Sequence, residues 1–329
     1  MKRLVIPSTI YNLFIYMLLD ENWKKRSYML KLKNFNKNFL KKLNENRVES
    51  VYFDSIKYKK IKPFKRMPNY IYYIFNIFKC VIFLYYKKIE IIYGADHIFP
   101  LIFKLRPSYL IEDGLLNYKL SKNKGKLKQK IKDFLLLQPS NYKSYGYEKN
   151  VRKIYLTGLA PIPKEIESKV EIINLKELWN KKTEKEKKEI LDIFCFDENI
   201  INKIKNKKNI LFTQPLSEDR FISEEEKIEL YRKIIFNYSE KDLIIKTHPR
   251  EKTDYKKYFP EMEILNQSFP SELFDLLDIK FERTITIFST AALGFSKDSK
   301  VDFYGTKVHP NLLKLWGDSE KIMKANKFL

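Results

Sequence analysis

Hydrophobic and polar positions follow two alternating periods along most of the chain. Short runs rich in β-branched and aromatic residues, typical of buried strands, are separated by longer stretches whose apolar residues recur at helical spacing. This order of strands and helices predicts parallel sheets covered by helices, which is the α/β class. The strands predicted in the first half are 3–6, 27–32, 50–53, 89–93, 109–111 and 153–156.

The alternation begins again after a charged interval. Residues 161–207 favour helices with a solvated face and are interpreted as a helical connection. Strands are then predicted at 209–213, 243–246, 262–265, 285–288 and 301–304, with helices at 223–237 and 271–278. Ser223 followed by Glu226 is a capping-box pattern, which predicts that a helix begins there.

The pattern therefore predicts two Rossmann-like domains. The N-terminal domain spans 1–160, the connection 161–207, and the C-terminal domain 208–329, ending in a closing helix at 319–329. We expect the two domains to face each other across a cleft, because α/β proteins bind ligands beyond the carboxyl ends of their strands. Residues that directly follow predicted strands are the first candidates for function.

The strand predicted at 243–246 leads into a histidine followed by a proline. Pro249 fixes the backbone and holds His248 extended at the strand exit. An imidazole there, beside Lys246 and Arg250, can bind a phosphate and, when protonated, donate a proton or a hydrogen bond to it. A histidine that only caps a loop is the alternative for an isolated His-Pro pair.

Two further strand ends of the second half carry polar groups. Ser289 and Thr290 precede small residues at a predicted strand-to-helix turn, where hydroxyls and backbone amides make an anion pocket; plain N-capping is the alternative. Thr213 and Gln214 end the strand at 209–213 and are expected to contact a nucleotide.

Carboxylates suited to acid–base chemistry follow two of the predicted strands. Glu112, Asp113 and Gly114 come after 109–111, and an ionised acid there suits deprotonation of an acceptor hydroxyl; a common turn is the alternative. Glu218 and Asp219 lie in the loop after 209–213 and offer another base, with a solvated loop as the alternative. His97 also follows a predicted strand, but helix capping by Asp96 is the preferred interpretation of that segment.

These motifs, in this order, resemble a known group of enzymes. Glu112-Asp113-Gly114, His248-Pro249 and Ser289-Thr290 resemble the acid-acid-Gly, His-Pro and paired-hydroxyl motifs of bacterial sialyltransferases. Their wider contexts, together with Thr213-Gln214-Pro215, most resemble the lipooligosaccharide sialyltransferases of glycosyltransferase family 52. The resemblance spans most of the chain in short islands.

The resemblance implies a GT-B fold, CMP-sialic acid as donor, inversion at the anomeric carbon and no metal. His248 would assist departure of CMP, while Asp219 and Asp113 remain alternative bases. The nucleotide would contact a set of residues of the C-terminal domain, with Glu272 on the ribose hydroxyls or, alternatively, capping its helix: Thr213, Gln214, Pro249, Glu272, Ser289 and Thr290. Glu112 and Gly114 would lie on the acceptor side, in the N-terminal domain.

The net charge of +23 changes this picture little. Lysine, isoleucine and asparagine are abundant throughout, as in chains encoded by AT-rich DNA, and no nucleic-acid-binding motif accompanies the lysines, so no nucleic-acid partner is expected. Peripheral contact with an anionic membrane is a better use of the charge, and its candidates are the basic runs 24–26, 57–65 and 122–132. A homodimer is compatible with the sequence.

Other sequence features bear on location and cofactors. The two cysteines, Cys80 and Cys195, form neither a CxxC nor a Cys/His cluster, and no DxD motif is present to hold a divalent ion. No signal peptide is predicted, and the apolar stretch 70–86 falls short of a membrane span. We expect a cytoplasmic protein, peripheral on the inner face of the cytoplasmic membrane.

The function expected from these observations is transfer of sialic acid to a galactose-containing acceptor of lipooligosaccharide or capsular polysaccharide. A CDP-glycerol-type glycerophosphotransferase, or another CMP-releasing transferase of cell-surface polymers, is the first alternative, because such enzymes also carry His-Pro and paired-hydroxyl motifs. A basic nucleic-acid-binding protein is the remote alternative, for which binding should weaken steeply as salt rises.

Overall fold

The computed structural model describes residues 1–31, 37–46, 48, 50–52, 67–118, 145–289, 291–292 and 299–321. Thr290, the basic runs 57–65 and 122–132, and the predicted closing helix beyond Lys321 lie outside these residues. The chain divides into two compact units, Met1–Ile193 and Phe194–Leu329.

The first unit contains one parallel sheet of seven strands in the described residues. Its order is β3-β2-β1-β4-β5-β6-β7, so the chain begins in the middle, builds outward to one edge and then returns to build the other. The strands are β1 (Arg3–Ile6), β2 (Ser27–Lys31), β3 (Ser50–Tyr52), β4 (Ile91–Gly94), β5 (Ser108–Ile111), β6 (Val151–Leu156) and β7 (Val170–Ile172).

Helices connect these strands. They are α1 (Ile10–Leu19), α2 (Trp23–Arg26), α3 (Lys37–Glu45), α4 (Met67–Tyr86), α5 (Pro100–Lys104), α6 (Lys164–Glu167), α7 (Leu175–Asn180) and α8 (Glu184–Ile193). Thr9 caps α1, because its side chain accepts a hydrogen bond from the backbone of Asn12. The core is formed where strand residues such as Leu4, Ile92 and Ile154 meet buried residues of the helices.

The second unit repeats the same plan with five parallel strands in the order β10-β9-β8-β11-β12. The strands are β8 (Asn209–Phe212), β9 (Leu243–Lys246), β10 (Glu263–Leu265), β11 (Arg283–Thr286) and β12 (Lys300–Phe303). The helices are α9 (Glu198–Ile204), α10 (Glu224–Ile235), α11 (Tyr255–Tyr258), α12 (Glu272–Leu276) and α13 (Pro310–Trp316). The order of strands reverses between β8 and β11, which is where doubly wound sheets bind ligands.

The predicted α/β class with two Rossmann-like domains is confirmed. The predicted capping box is present at the start of α10, where Ser223 and Glu226 exchange side-chain-to-backbone hydrogen bonds. One strand was not predicted: β7 lies inside the interval 161–207 and pairs with β6 at the edge of the first sheet. The units divide between Ile193 and Phe194, within that same interval.

Among the helices of the described residues, none combines the length and hydropathy that a membrane span requires.

Gly94 allows β4 to lie against β1 at the centre of the first sheet. Its φ is +127°, and an added Cβ would lie 2.1 Å from the carbonyl oxygen of Ile6, its partner in register. We expect Gly94→Ala to lower the free energy of unfolding by about 3 kcal/mol or more, because backbone must move to accept the methyl group. Urea unfolding would measure this.

Gly114→Ala is the matched control in the same unit. Gly114 has φ +56°, but nothing lies within 4 Å of its added Cβ, so only the left-handed backbone is penalised, by about 1 kcal/mol. Equal losses of stability in the two variants would contradict the packing argument.

Candidate active site

The carboxyl ends of β8 and β11 meet at the switch point of the second sheet. Gln214, just after β8, accepts a hydrogen bond from the backbone N–H of Phe288 through Oε1 at 3.0 Å. Its own N–H donates to the buried hydroxyl of Tyr231 at 2.7 Å. Gln214 thus links the segment after β8 to the segment after β11 by a hydrogen bond and holds these two strand ends together.

His248 leaves β9, the other neighbour of β8, in a tight turn. The N–H of Glu251 donates to the carbonyl of His248 at 2.9 Å, with Pro249 at the turn position where its fixed φ fits best. The N–H of Arg250 donates to Nδ1 of the ring at 3.1 Å. Because Nδ1 is an acceptor, the neutral ring carries its proton on Nε2, which becomes the hydrogen-bond donor.

The surroundings of His248 keep the ring neutral. Burial lowers its pKa to about 4, and the cations Arg250 and Lys246 act in the same direction, while Asp219 and Glu218 oppose them. Lys246 is itself buried and donates to the carbonyls of Thr247 and Gln267 at 3.0 and 2.9 Å. Lys246 therefore holds backbone, and of the two cations predicted to flank a phosphate only Arg250 has a partly exposed side chain.

Glu251 organises this turn and was not among the site residues predicted from the sequence. Its side chain is only 1% exposed. Oε2 accepts from the backbone N–H of His248 at 2.7 Å and from the hydroxyl of Thr213 at 2.5 Å, and Oε1 accepts from the hydroxyl of Tyr255 at 2.6 Å. Thr213 is likewise buried, so its hydroxyl belongs to this network.

Glu251 and His248 form a reciprocal pair of contacts like that of a capping box. The backbone of Glu251 donates to the carbonyl of His248, and the side chain of Glu251 accepts from the N–H of His248. The signal in the sequence was the glutamate three residues after the histidine.

Lys227 supplies the positive charge for this buried network. Its side chain is fully buried, and Nζ lies 3.0 Å from Glu218, 3.4 Å from Glu224 and 3.6 Å from Glu251. Burial alone would raise the pKa of Glu218, but hydrogen bonds from the backbone of Lys252 and from Lys227 hold it to about 2. Glu218 is therefore a structural anion and a poor base.

Asp219, one of the two predicted bases, forms an ion pair beside the histidine. Its Oδ1 lies 2.7 Å from Nη1 of Arg250, and the two side chains are 28% and 35% exposed. This pairing occupies Oδ1 of Asp219. It also aligns Arg250, whose backbone holds the histidine ring.

Ser289 and Glu272 occupy other strand exits of the same sheet. Ser289 follows β11, its N–H donates to Thr286 at 2.9 Å, and its Oγ accepts from the N–H of Ala291 at 3.3 Å. Its hydroxyl therefore makes a local turn contact and retains its own hydrogen to donate. Glu272 begins α12, beyond the edge strand β10, and accepts from Ser271 at 3.3 Å.

In the first unit, the two adjacent acids after β5 have different environments. Glu112 is fully buried, and four donors surround its carboxylate: the hydroxyls of Tyr11 and Tyr118 at 2.9 and 2.6 Å, and the N–H and hydroxyl of Thr157 at 2.7 and 2.8 Å. This carboxylate anchors the loop and has no lone pair to spare for an acceptor sugar.

Asp113 lies beside a histidine. Its Oδ2 is 3.5 Å from Nε2 of His97, and its N–H donates to Asn117 at 2.6 Å. The left-handed φ of +56° at Gly114 turns the chain directly after it. The side chain of Asp113 is 10% exposed and that of His97 27%, so both reach the surface.

The preferred interpretation of Asp96 was wrong. Its carboxylate accepts from the backbone N–H groups of Tyr145 and Gly146 at 2.8 and 3.2 Å, and α5 begins later, with Phe99 as its N-cap. Asp96 therefore anchors a distant loop and leaves His97 beside Asp113 at the strand exit.

The structure thus groups the predicted site residues by unit. In the second unit, three consecutive neighbouring strands bring together Thr213, Gln214, Asp219, His248, Pro249 and Ser289. In the first unit Glu112, Asp113 and Gly114 lie in one loop, next to His97.

Comparisons with known proteins agree with the motifs. The model of glycosyltransferase family 52 matches residues 12–312. An uncharacterized protein of Haemophilus influenzae is 48% identical over 244 residues, which cover 72% of this chain and 77% of that protein.

Solved structures share the fold at low identity. An α/β-galactoside α-2,3-sialyltransferase from Photobacterium phosphoreum matches with a TM-score of 0.59 at 13% identity, over 99% of this chain and 96% of that one. A 2,6-sialyltransferase from Photobacterium sp. JT-ISH-224, in complex with CMP and lactose, matches with a TM-score of 0.64 at 13% identity, over 100% of this chain and 77% of that one. The fold is of the GT-B type.

The protonation of His248 can be measured directly. Its pKa of about 4 lies below the 6.5 of an unperturbed histidine, so the unfolded chain takes up this proton first as the pH falls. We expect His248 to reduce stability progressively from about pH 6.5 to about pH 4, and His248→Asn to lose that dependence. Nuclear magnetic resonance of the ring should show a titration near pH 4, moving upward with CMP bound. A free-protein titration at or above pH 6.5 would contradict the geometry.

Replacing Glu251 by glutamine tests the buried network. The amide keeps the shape of the side chain but has only one acceptor oxygen for three donors, so we expect the free energy of unfolding to fall by about 1–3 kcal/mol. Hydrogen exchange of the His248 amide should accelerate, because that N–H loses its acceptor. Glu240→Gln, at an exposed position of the same unit, is the control. Unchanged protection of the His248 amide would exclude this role.

Proposed function

The chain belongs to glycosyltransferase family 52, and from this membership we propose that it transfers sialic acid from CMP-sialic acid to a galactose-containing acceptor, with inversion and without a metal. The observation that carries the proposal is the turn His248–Glu251 at the exit of β9, which presents an imidazole beside Arg250 at the ligand-binding end of the second sheet. Two solved sialyltransferases with the same fold support it, one of them bound to CMP and lactose.

In the donor half of the reaction, the second unit holds the nucleotide phosphate. Nε2–H of His248 donates a hydrogen bond to the phosphate oxygen on which charge develops as the bond to the sugar breaks. Arg250 and the hydroxyl of Ser289 provide further donors at the same strand ends. Thr290, the next residue in the sequence, adds a second hydroxyl.

A hydrogen bond from neutral His248 is enough for this leaving group. CMP departs as a phosphate monoester whose second pKa is about 6, so it is stable as a dianion near neutral pH without taking up a proton. The incoming negative charge also raises the pKa of the imidazole, because it stabilises the protonated ring. Glu272, in the first turn of α12, is assigned to the ribose hydroxyls by the family resemblance.

In the acceptor half, a carboxylate takes the proton of a galactose hydroxyl. The oxygen of that hydroxyl bonds to the anomeric carbon of sialic acid, while the bond between that carbon and the phosphate oxygen of CMP breaks. Asp113 fits this role better than Asp219, because Oδ1 of Asp219 is already engaged by the guanidinium of Arg250 at 2.7 Å. His97, 3.5 Å from Asp113, orients it and can share the proton. Glu112, saturated with donors, holds the loop in which Asp113 lies.

The proposal needs no metal, because a single phosphate carries less charge than a diphosphate and is matched by one imidazole, one guanidinium and hydroxyls. The described residues contain no group of three or more histidine, cysteine, aspartate or glutamate side chains placed to hold an ion. From the family resemblance, we propose that the acceptor belongs to lipooligosaccharide or capsular polysaccharide and is modified on the cytoplasmic side of the inner membrane.

Incubation with CMP-sialic acid, lactose and EDTA tests the activity. We expect a sialylated product of inverted configuration by mass spectrometry and magnetic resonance, with transfer reduced about a hundredfold to a thousandfold in His248→Ala. Asp113→Asn should abolish transfer while retaining binding of CMP, whereas Asp219→Asn should weaken CMP binding through Arg250 and leave measurable turnover.

The outcomes separate the alternatives. Release of CMP from CDP-glycerol, with no reaction of CMP-sialic acid, would replace the proposal by a glycerophosphotransferase. Loss of turnover in Asp219→Asn with full activity in Asp113→Asn would assign the base to the second unit.

A further inference from the structure

The helix α4 carries apolar side chains on two opposite faces. Ile77, Cys80 and Leu84 are buried in the core of the first unit, at the spacing of one helix face. The other side presents five large apolar or aromatic residues, which we call the outer face of α4: Phe75, Phe78, Ile82, Tyr85 and Tyr86, with exposed fractions of 53%, 57%, 66%, 60% and 79%.

Such a helix departs from the usual pattern of a surface helix. Phe75, Phe78, Ile82 and Tyr85 follow one another at intervals of three, four and three residues, so they form one continuous stripe. A surface helix normally places polar residues there, and a large exposed apolar patch marks a surface that binds a protein or a membrane. The outer face of α4 therefore has the character of a binding surface.

Cations rest directly on this stripe. Nζ of Lys79 lies 4.4 Å from the ring centre of Phe75, and Nζ of Lys87 lies 5.7 Å from that of Tyr86. The guanidinium carbon of Arg106 lies 4.6 Å from the ring centre of Tyr85. Between residues 67 and 88 the sequence has three lysines and no carboxylate, so charges of one sign border the apolar surface.

This arrangement matches an anionic lipid surface. Aromatic residues favour the boundary between headgroups and acyl chains, and long basic side chains lay their stems on apolar surface while their charges reach headgroup phosphates. A second copy of the chain is a poorer partner, because a two-fold interface places the same patch against itself and would bring its cations together.

We propose that the outer face of α4 docks the protein on anionic membranes, lying in the interface with Phe78 and Ile82 in the acyl boundary and Lys79, Lys87 and Arg106 on headgroup phosphates. This surface differs from the basic runs 24–26, 57–65 and 122–132 that charge alone had suggested. It is independent of the transferase activity proposed above.

Vesicle flotation tests the proposal with the full-length protein. We expect binding to phosphatidylcholine vesicles that contain phosphatidylglycerol, much weaker binding to phosphatidylcholine alone, and loss of binding at high salt. Phe78→Ser combined with Ile82→Ser should lower the partition coefficient at least about tenfold. Lys79→Gln combined with Lys87→Gln should lower it roughly fivefold per charge, on anionic vesicles only.

Phe236→Ser is the matched control, because Phe236 is 90% exposed and lies in the second unit. It should bind vesicles like the wild type. Circular dichroism confirms folding of each variant, and Tyr86→Ser, at the last residue of α4, serves as a second variant if the double substitution does not fold.

Three results would overturn the proposal. The first is no preference for anionic vesicles at low salt. The second is equal losses in the α4 and Phe236 variants. The third is a dimer, detected by light scattering, that the α4 variant dissociates while its vesicle binding stays unchanged, which would assign the face to a second copy of the chain.

Discussion

The site in the second unit depends on one buried carboxylate. Glu251 receives hydrogen bonds from the backbone of His248, from Thr213 and from Tyr255, and its charge is balanced by the fully buried ammonium of Lys227. Thr213 leaves β8 and His248 leaves β9, so this carboxylate joins two neighbouring strand exits. Without Glu251, the turn that carries the imidazole would keep the fixed backbone of Pro249 but would lose the carboxylate that links the N–H of His248 to Thr213.

Burying these charges costs free energy, and the structure offsets this cost by placing one ammonium group near three carboxylates. A buried ion pair rarely adds net stability, because desolvation offsets the attraction, yet removing one partner leaves an expensive unpaired charge. Lys227 serves Glu218, Glu224 and Glu251 at once, and backbone and hydroxyl donors satisfy the remaining oxygens. The main effect of the network is therefore to fix the position of the turn that carries His248, rather than to add net stability. A site that depends on one imidazole requires such fixed geometry.

The positions where strands end could be predicted from the sequence, but the strands and side chains that pair with one another could not. The strands at 3–6 and 243–246 have the predicted limits, and His248 follows β9 as expected, because β-branched runs and a proline are local signals. The three-residue strand β7 was missed, since Val170–Ile172 is half exposed in charged surroundings and is a strand only through its pairing with β6. Glu251 was missed for the same reason: its role comes from donors on three separate segments.

The two Glu-Asp dipeptides of the chain follow one rule. In Glu112-Asp113 and in Glu218-Asp219, the glutamate is the more buried member and is surrounded by donors, while the aspartate is more exposed and faces a single basic side chain. A buried carboxylate surrounded by donors is committed to holding its loop, whereas the more exposed carboxylate beside it remains accessible to a ligand. The basic partner then distinguishes the two aspartates. The guanidinium of Arg250 can only donate hydrogen bonds and holds Asp219 in an ion pair at 2.7 Å, whereas Asp113 lies 3.5 Å from Nε2 of His97, whose ring nitrogens can donate or accept.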